Sequence, residues 1–518
     1  MSVIWKPLTN SPGGNAGAMW LMLDGTVLAY LSGGTQLMSL RPDTQGSYAN
    51  GEWTNVGNLL LEKQWFASAV LSDGRVVTCG GELSGPGLSE NETNFCEIYD
   101  PISATSTQFQ PPSGWTNIGD SPSVVLNDGT FMLGNAQGLG FQVALLNASG
   151  LSWTFGVGDN DDEQGYVLLQ TGDVLTVNPN NTSSMRYDAG SNAFVAIDPD
   201  LPVFLGTGTS EIGPGVTLMD GRVIWFGAGP TCIYTPGPKG QNGTWVQGPG
   251  LPPLPNGDQL IAADDGAILE SNGKVLLQAG APSLNSAFVE FDPTENAISL
   301  VPNQPNSSGA RTMCRMLLLP DGHGLVSFED LGWYDLTFSG NVNPAWAPTI
   351  TSFPSLVTTG ATVTLAGTQL CGLSECQSFG DDNQQAENYP MVRFVDSHNN
   401  VTYARARDVS TRSIAPGEPG TVLVDIPSLP PGFYTVYAVA MGIPSAGRQV
   451  TVSVSCQTLA KEVWHLIANV SPLTIPLGIR AILERELLAC ERTLGAAEVR
   501  SLIASLFPSQ PPPPNRPR

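Results

Sequence analysis

Basic charge is scarce in this chain. Twenty-two lysines and arginines stand against 46 aspartates and glutamates, and only three histidines occur in 518 residues. The net charge of −24 excludes nucleic acid and anionic membrane surfaces as partners, because both need basic patches. Cations, amines, neutral sugars and other proteins stay open. Long apolar runs are also missing, and no stretch approaches the roughly 18 residues of a membrane span. The start, Met1 to Pro12, carries no basic-then-apolar leader, so the chain is expected in the cytoplasm or as an exported mature form without its signal. The eight cysteines form no disulfide ladder. Cys79, Cys96, Cys232 and Cys314 fall in apolar strand segments as buried thiols, while Cys371 and Cys376 either close a local loop or stay reduced. No histidine or second cysteine pair stands near them to complete a zinc site.

Glycine (58) and proline (42) are abundant, which points to turn-rich β structure. Seven times an apolar run ends in a similar turn, at intervals of about fifty residues. The turns are Leu23-Asp24-Gly25, Ser72-Asp73-Gly74, Asn127-Asp128-Gly129, Gln170-Thr171-Gly172, Met219-Asp220-Gly221, Ser271-Asn272-Gly273 and Pro320-Asp321-Gly322. Asp-Gly and Asn-Gly between alternating segments mark hairpins, and a hairpin repeated at this period predicts a β-propeller with one four-stranded sheet per repeat. The last repeat supplies three strands, and Val3 to Leu8 resemble the missing fourth. The fold expected is therefore all-β: a seven-bladed propeller over 1–345, closed by its N-terminal strand, then an immunoglobulin-like sandwich over 346–455, where alternation continues without the period. Helical spacing follows over 456–507 and a proline-rich tail over 508–518.

A propeller followed directly by such a sandwich resembles the galactose oxidase and glyoxal oxidase superfamily of kelch-type copper radical oxidases. The resemblance spans roughly residues 1–455. It rests on Ala69-Val-Leu-Ser-Asp-Gly-Arg-Val76, Arg311-Thr-Met-Cys-Arg-Met-Leu-Leu-Leu-Pro-Asp-Gly322, Pro348-Thr-Ile-Thr351, and Pro431-Gly-Phe-Tyr434 through Gly442-Ile-Pro-Ser445. Uncharacterised bacterial kelch-repeat proteins look closer still in Gly46-Ser-Tyr-Ala-Asn-Gly-Glu-Trp53 and from Phe379-Gly-Asp-Asp382 to Asn388-Tyr-Pro390. Those oxidases hold copper with two tyrosines and two histidines, three of them eight or nine residues before an Asp-Gly turn. Here Trp65 stands where a ligand tyrosine belongs, and Thr312 and Met313 where a Tyr-His pair belongs. The stretch matching the hairpin that brings the remaining histidine, Tyr403 to Ser410, contains none. The resemblance thus implies the fold but a lost copper set, and Trp, Thr and Met cannot replace imidazole and phenolate on copper. His323, His398 and His465 read as surface or packing residues.

The same backward count, applied to every repeat, places Asn15/Ala16, Trp65, Asp120, Glu163 (with Asp161 and Asp162), Glu211/Ile212, Asp264 (with Asp265) and Thr312/Met313 at one end of the central channel. Blades three to six each direct a carboxylate there. Asp120, Glu163, Glu211 and Asp264 are the catalytic candidates, and Asp120, Asp162, Glu163 and Asp264 the candidate ligands for Ca²⁺ or Mg²⁺. Trp65, Phe66 and Met313 form an apolar side, and Arg311, Arg405 and Arg407 supply countercharge. The leading expectation is a ligand-binding propeller with an acidic, Trp-edged funnel for a small cationic or sugar-like molecule. Two alternatives stay open: a non-copper lyase, hydrolase or cyclase using the carboxylates, and a scaffold that meets protein partners through its C-terminal helices.

Overall fold

The structure, a computed structural model, describes residues 3–136, 142–158, 163–195, 198–207, 211–281, 286–305, 314–378, 386–453, 456–469, 474–490 and 494–507. Among the described residues up to 338 the strands form seven four-stranded antiparallel meanders, the third and fourth joined by a parallel bridge of Val157 to Ala193. The first, from inside out, is Ala16–Leu21, Val27–Leu31, Gln36–Arg41 and Glu52–Asn58. The innermost strands of the next five are Ala67–Val70, Ser123–Val125, Val167–Leu168, Gly215–Thr217 and Ala267–Leu269. The seventh runs Arg315–Leu318, Gly324–Phe328 and Gly332–Phe338, and its outer strand is Val3–Pro7, with Val3 opposite Phe338 and Pro7 opposite Tyr334. Each innermost strand touches the next, and Arg315–Leu318 touches Ala16–Leu21, so the ring closes without an exposed inner edge. These strands are short, fully buried and mostly apolar, as strands covered on both faces must be.

Apolar clusters lie between neighbouring meanders. One joins the second and third through Val77, Ile98, Phe131 and Leu146, and another the sixth and seventh through Leu276, Phe288, Val326 and Leu336. The seven turns share one geometry. In each, the glycine N–H donates to the carbonyl three residues back, and glycine alone takes a left-handed φ, between 77° and 90°. They are three-residue loops, a type I turn closed by a left-handed glycine, so the Asp keeps an ordinary φ. In six of them the Asp or Asn side chain also accepts the N–H two residues on, at 2.8–3.2 Å.

By packing, the chain divides into two units: 1–353 with 363–425 and 435–448, and 354–362 with 426–434 and 449–518. In the first unit, Thr349 pairs opposite Thr368 and Ser352 opposite Ala366, and Val401–Arg407 pairs with both Met391–Val395 and Pro419–Asp425. The second unit holds a parallel pair, with Val357 opposite Val452, and the helices Cys456–Asn469, Leu477–Ala489 and Ala496–Leu506. The helices share a core of Val463, Leu487, Val499, Leu502 and Leu506. Cys490 is disulfide-bonded. No helix among the described residues is long and apolar enough to cross a membrane.

Candidate functional site: an acidic channel mouth

The inner strands run from one end of the channel, here the mouth, to the turns at the other. The turn end is filled by chain from beyond the propeller. Two arms, 370–378 and 386–391, are buried there, joined by residues 379–385, which lie outside the described residues. Gln377–Ser378 adds a fifth strand to Ala267–Leu269, and the Leu269 N–H donates to the Cys376 carbonyl at 2.7 Å. Glu375 Oε2 accepts the Leu168 N–H and Glu387 Oε1 the Leu318 N–H, both at 3.0 Å. Arg412 donates to the Val70 carbonyl at 3.2 Å and to Asn388 Oδ1 at 3.0 Å, while its guanidinium lies 4.6 Å from the Tyr389 ring centre. The Arg412 N–H reaches the Asn127 carbonyl, and the Tyr389 hydroxyl the Leu21 carbonyl. Polar contacts therefore tie this plug to six of the seven meanders. The fifth meets it through Leu218 and Met219 beside Leu373.

This geometry corrects two expectations and decides between two alternatives for a cysteine pair. The described chain that enters the ring is the two arms 370–378 and 386–391, not the hairpin 403–410. Arg405 and Arg407 stand at the turn end and cannot serve the mouth. Both pair with Asp425, at 3.2 and 2.9 Å, because Arg405 lies directly opposite Asp425 in the strand register; Arg405 also donates to the Asp73 carbonyl, and Arg407 pairs with Asp408. Cys371 and Cys376 are both free, their thiols turned to the Thr411 and Ser374 carbonyls respectively.

Burial pushes the Glu375 carboxyl up to about 7, opposed in part by the Leu168 N–H and by Arg412, and holds Glu387 well above the carboxylate range. A carboxyl raised on folding stabilises most when protonated in both states, so its contribution is complete below about pH 4.5 and is lost as pH rises through about 7. Urea unfolding should show stability falling by up to about 3 kcal/mol between about pH 5 and pH 8 on account of Glu375. Glu375→Gln should flatten that slope; an unchanged slope would contradict the assignment.

At the mouth, Trp65 and Asp264 each precede their turns by eight residues, and each adopts a left-handed φ of 50°. Such a conformation costs a side-chain-bearing residue about 1 kcal/mol, so its recurrence in blades two and six marks equivalent places. Trp65 is half-buried, with its indole N–H making no hydrogen bond. Asp120 and Glu163 stand half-buried at the heads of their inner strands. The Asp264 N–H donates to the Ile212 carbonyl at 3.3 Å, linking the mouths of blades five and six. Asp265, one residue on, is fully buried and accepts the Ala263 N–H at 2.9 Å, a structural role.

Phe66 is a further correction. It is 1% exposed and packs beside Tyr30 and Trp20, with Lys63 Nζ 5.2 Å from its ring centre, because a strand turns successive side chains to opposite faces. Asp161, Asp162, Arg311, Thr312 and Met313 lie outside the described residues.

Glu82, Glu90 and Glu92 were not among the sequence candidates. Glu82 is half-buried, and its N–H reaches the Trp65 carbonyl at 3.2 Å. Its carboxyl is raised first by burial, then by Glu211, Glu90 and Glu92. Glu211 belongs to the fifth meander, so a carboxylate from there lies near enough to Glu82, in the second, for its charge to be felt. Glu211 Oε2 is itself buried without a hydrogen bond. The signal was available: the second strand of each blade returns to the mouth, so the long loop after Gly80-Gly81 had to land there.

Among solved structures, a fungal alcohol oxidase of the AA5 family, in complex with copper, matches with a TM-score of 0.50 over 88% of this chain and 100% of its own, at 14% identity. The likeness is one of fold. It supports a β-propeller fold and carries no chemistry at that identity. A catalytically inactive virginiamycin B lyase from Staphylococcus aureus, solved with quinupristin, matches at TM-score 0.46 and 12% identity, covering 65% of this chain and 99% of its own. YjhT matches at TM-score 0.40 and 12% identity over 57% and 99%. No protein-family model matches the chain, and no curated protein matches it.

Proposed function

We propose that this protein is a ligand-binding propeller whose acidic mouth takes a small cationic, amine-bearing molecule. The observation that carries this reading is that Glu211, from the fifth meander, and Glu90 and Glu92 lie near enough to Glu82 for their charges to raise its carboxyl. A cation between these groups would relieve their mutual repulsion and the cost of partial burial, a sugar only the second. Trp65, bonded through its carbonyl to Glu82, offers an aromatic face for an ammonium group. In this reading the seven meanders are the blades of one kelch-type propeller, residues 346–455 are an immunoglobulin-like sandwich whose arms 370–378 and 386–391 fill the turn end, and the ligand enters at the mouth. Copper radical chemistry has no part in it: Trp65 holds the place that the resemblance gives to a tyrosine. Asp120, Glu163 and Asp264 belong to the same rim, where Ca²⁺ or Mg²⁺ is the competing ligand. Non-copper acid–base catalysis is the second reading, favoured by the raised carboxyl of Glu82.

Titration calorimetry of the full chain with spermidine, and separately with Ca²⁺, tests the proposal. Spermidine should bind at one site, and Glu82→Gln/Glu211→Gln should weaken it about ten- to a hundredfold, since charged hydrogen bonds contribute about 1.5–3 kcal/mol. Equal affinity in the double variant, or no binding to the unaltered protein, contradicts it.

A further inference from the structure

Beside the turns, on the outer part of the blades, several repeats place a permanent cation next to the turn glycine. Arg75 pairs with the turn residue Asp73 at 2.7 Å, and Arg222 with Asp220 at 2.7 Å. In blade six, Lys274 turns instead to the third strand, meeting Glu290 at 2.7 Å and Asp292 at 3.2 Å. Blade seven combines the two acidic sets. It keeps the turn acid, Asp321, and it has Asp335 opposite Leu325, the register place that Glu290 holds opposite Leu276. Where Arg or Lys would stand, it has His323, whose Nδ1 lies 3.0 Å from both carboxylate oxygens of Asp335. Two carboxylates thus face an imidazole, a group that also coordinates metals, with Lys6, opposite Asp335 in the outer strand, as a further cation nearby.

We propose that Asp321, His323 and Asp335 form a binding site for a divalent transition metal ion, Zn²⁺ by the chemistry of the donors. One ligand atom from each lies within 4.8 Å of the others, close to the spread that an ion bonded at about 2.0–2.2 Å can span. One imidazole with two carboxylates suits Zn²⁺ better than the all-oxygen shells of Ca²⁺ or Mg²⁺. Asp335 is almost wholly buried, while His323 is a third exposed, which gives an ion a path in from solvent. Nearby, the buried Tyr403 hydroxyl meets Arg393 and Tyr48 and lies near enough to Asp321 to feel its charge.

This site is remote from Glu82 and Glu211 along the channel, so its fate is independent of the function proposed for the mouth. The test uses the full-length chain stripped with chelator, titrated with Zn²⁺ by calorimetry and with Co²⁺ by visible absorption. One Zn²⁺ per chain is expected, with Co²⁺ bands typical of nitrogen and oxygen ligands. Two variants decide the assignment. His323→Lys copies the arrangement of blade six and should fold normally, with an unchanged melting curve, yet bind Zn²⁺ at least about tenfold more weakly. Asp335→Asn should weaken binding to a similar degree, and His398→Ala should leave it unaltered. Absence of Zn²⁺ binding to the unaltered protein, or undiminished binding in His323→Lys, overturns the proposal.

Discussion

Replacing Arg412 with alanine should destabilise the protein by about 3–5 kcal/mol, read as a lowered urea midpoint at unchanged slope. Arg412 is about 1% exposed and works in three directions at once: to the Val70 carbonyl in blade two, to Asn388 in the neighbouring arm, and to the Tyr389 ring. Its burial depresses its own basicity, which measures what the surroundings spend on keeping it charged. Truncation would strand a buried carbonyl and a buried amide and would leave a cavity. Arg412→Lys should recover only part of the loss, because an ammonium cannot serve both acceptors and stack on Tyr389. A cost below about 1 kcal/mol for the alanine variant would mean that the plug does not brace the ring.

Lys63→Met is expected to cost about as much, 3–5 kcal/mol, by a different route. Lys63 and Glu97 are both fully buried, with Nζ 3.4 Å from Oε1, and Glu97 Oε2 also accepts the Leu60 N–H at 2.6 Å. Phe66 and Phe95 flank the ammonium at 5.2 and 5.6 Å, so water cannot replace the lost partner. Removing Lys63 alone leaves an uncompensated carboxylate in an apolar seam between blades. Lys63→Met/Glu97→Gln should regain most of the stability, since glutamine still accepts from Leu60 and carries no charge. Urea unfolding of the two single variants and the double variant yields the coupling energy. Additive losses would show that the ion pair is not the source of the effect.

What could be read from residues alone follows their physical range. The turns were legible because Asp-Gly and Asn-Gly dictate local backbone, and the pairing of Val3–Pro7 with Gly332–Phe338 because the last repeat lacked a strand. The plug was not. Residues 370–391 show no sustained alternation, and nothing in the order of residues reveals that Glu375, Glu387 and Asn388 find partners at Leu168, Leu318 and Arg412. Arg405 and Arg407 were misjudged for the same reason: charge is visible in a sequence, whereas its neutralisation by Asp425 depends on register. At the mouth, counting back from each turn led to Trp65 and Asp264, which share a backbone conformation. It also swept in Phe66, one residue on and facing the core, and passed over Glu82, which a loop delivers rather than an inner strand.

The central claim is that carboxylates from the second and fifth meanders jointly hold a cation. Its most direct test is a crystal structure of the full chain grown with spermidine. The account predicts an amine nitrogen within hydrogen-bonding reach of both Glu82 and Glu211, with Trp65 alongside. A mouth in which those two carboxylates point apart and the ligand lies elsewhere would contradict it, as would a metal held there by histidine and tyrosine.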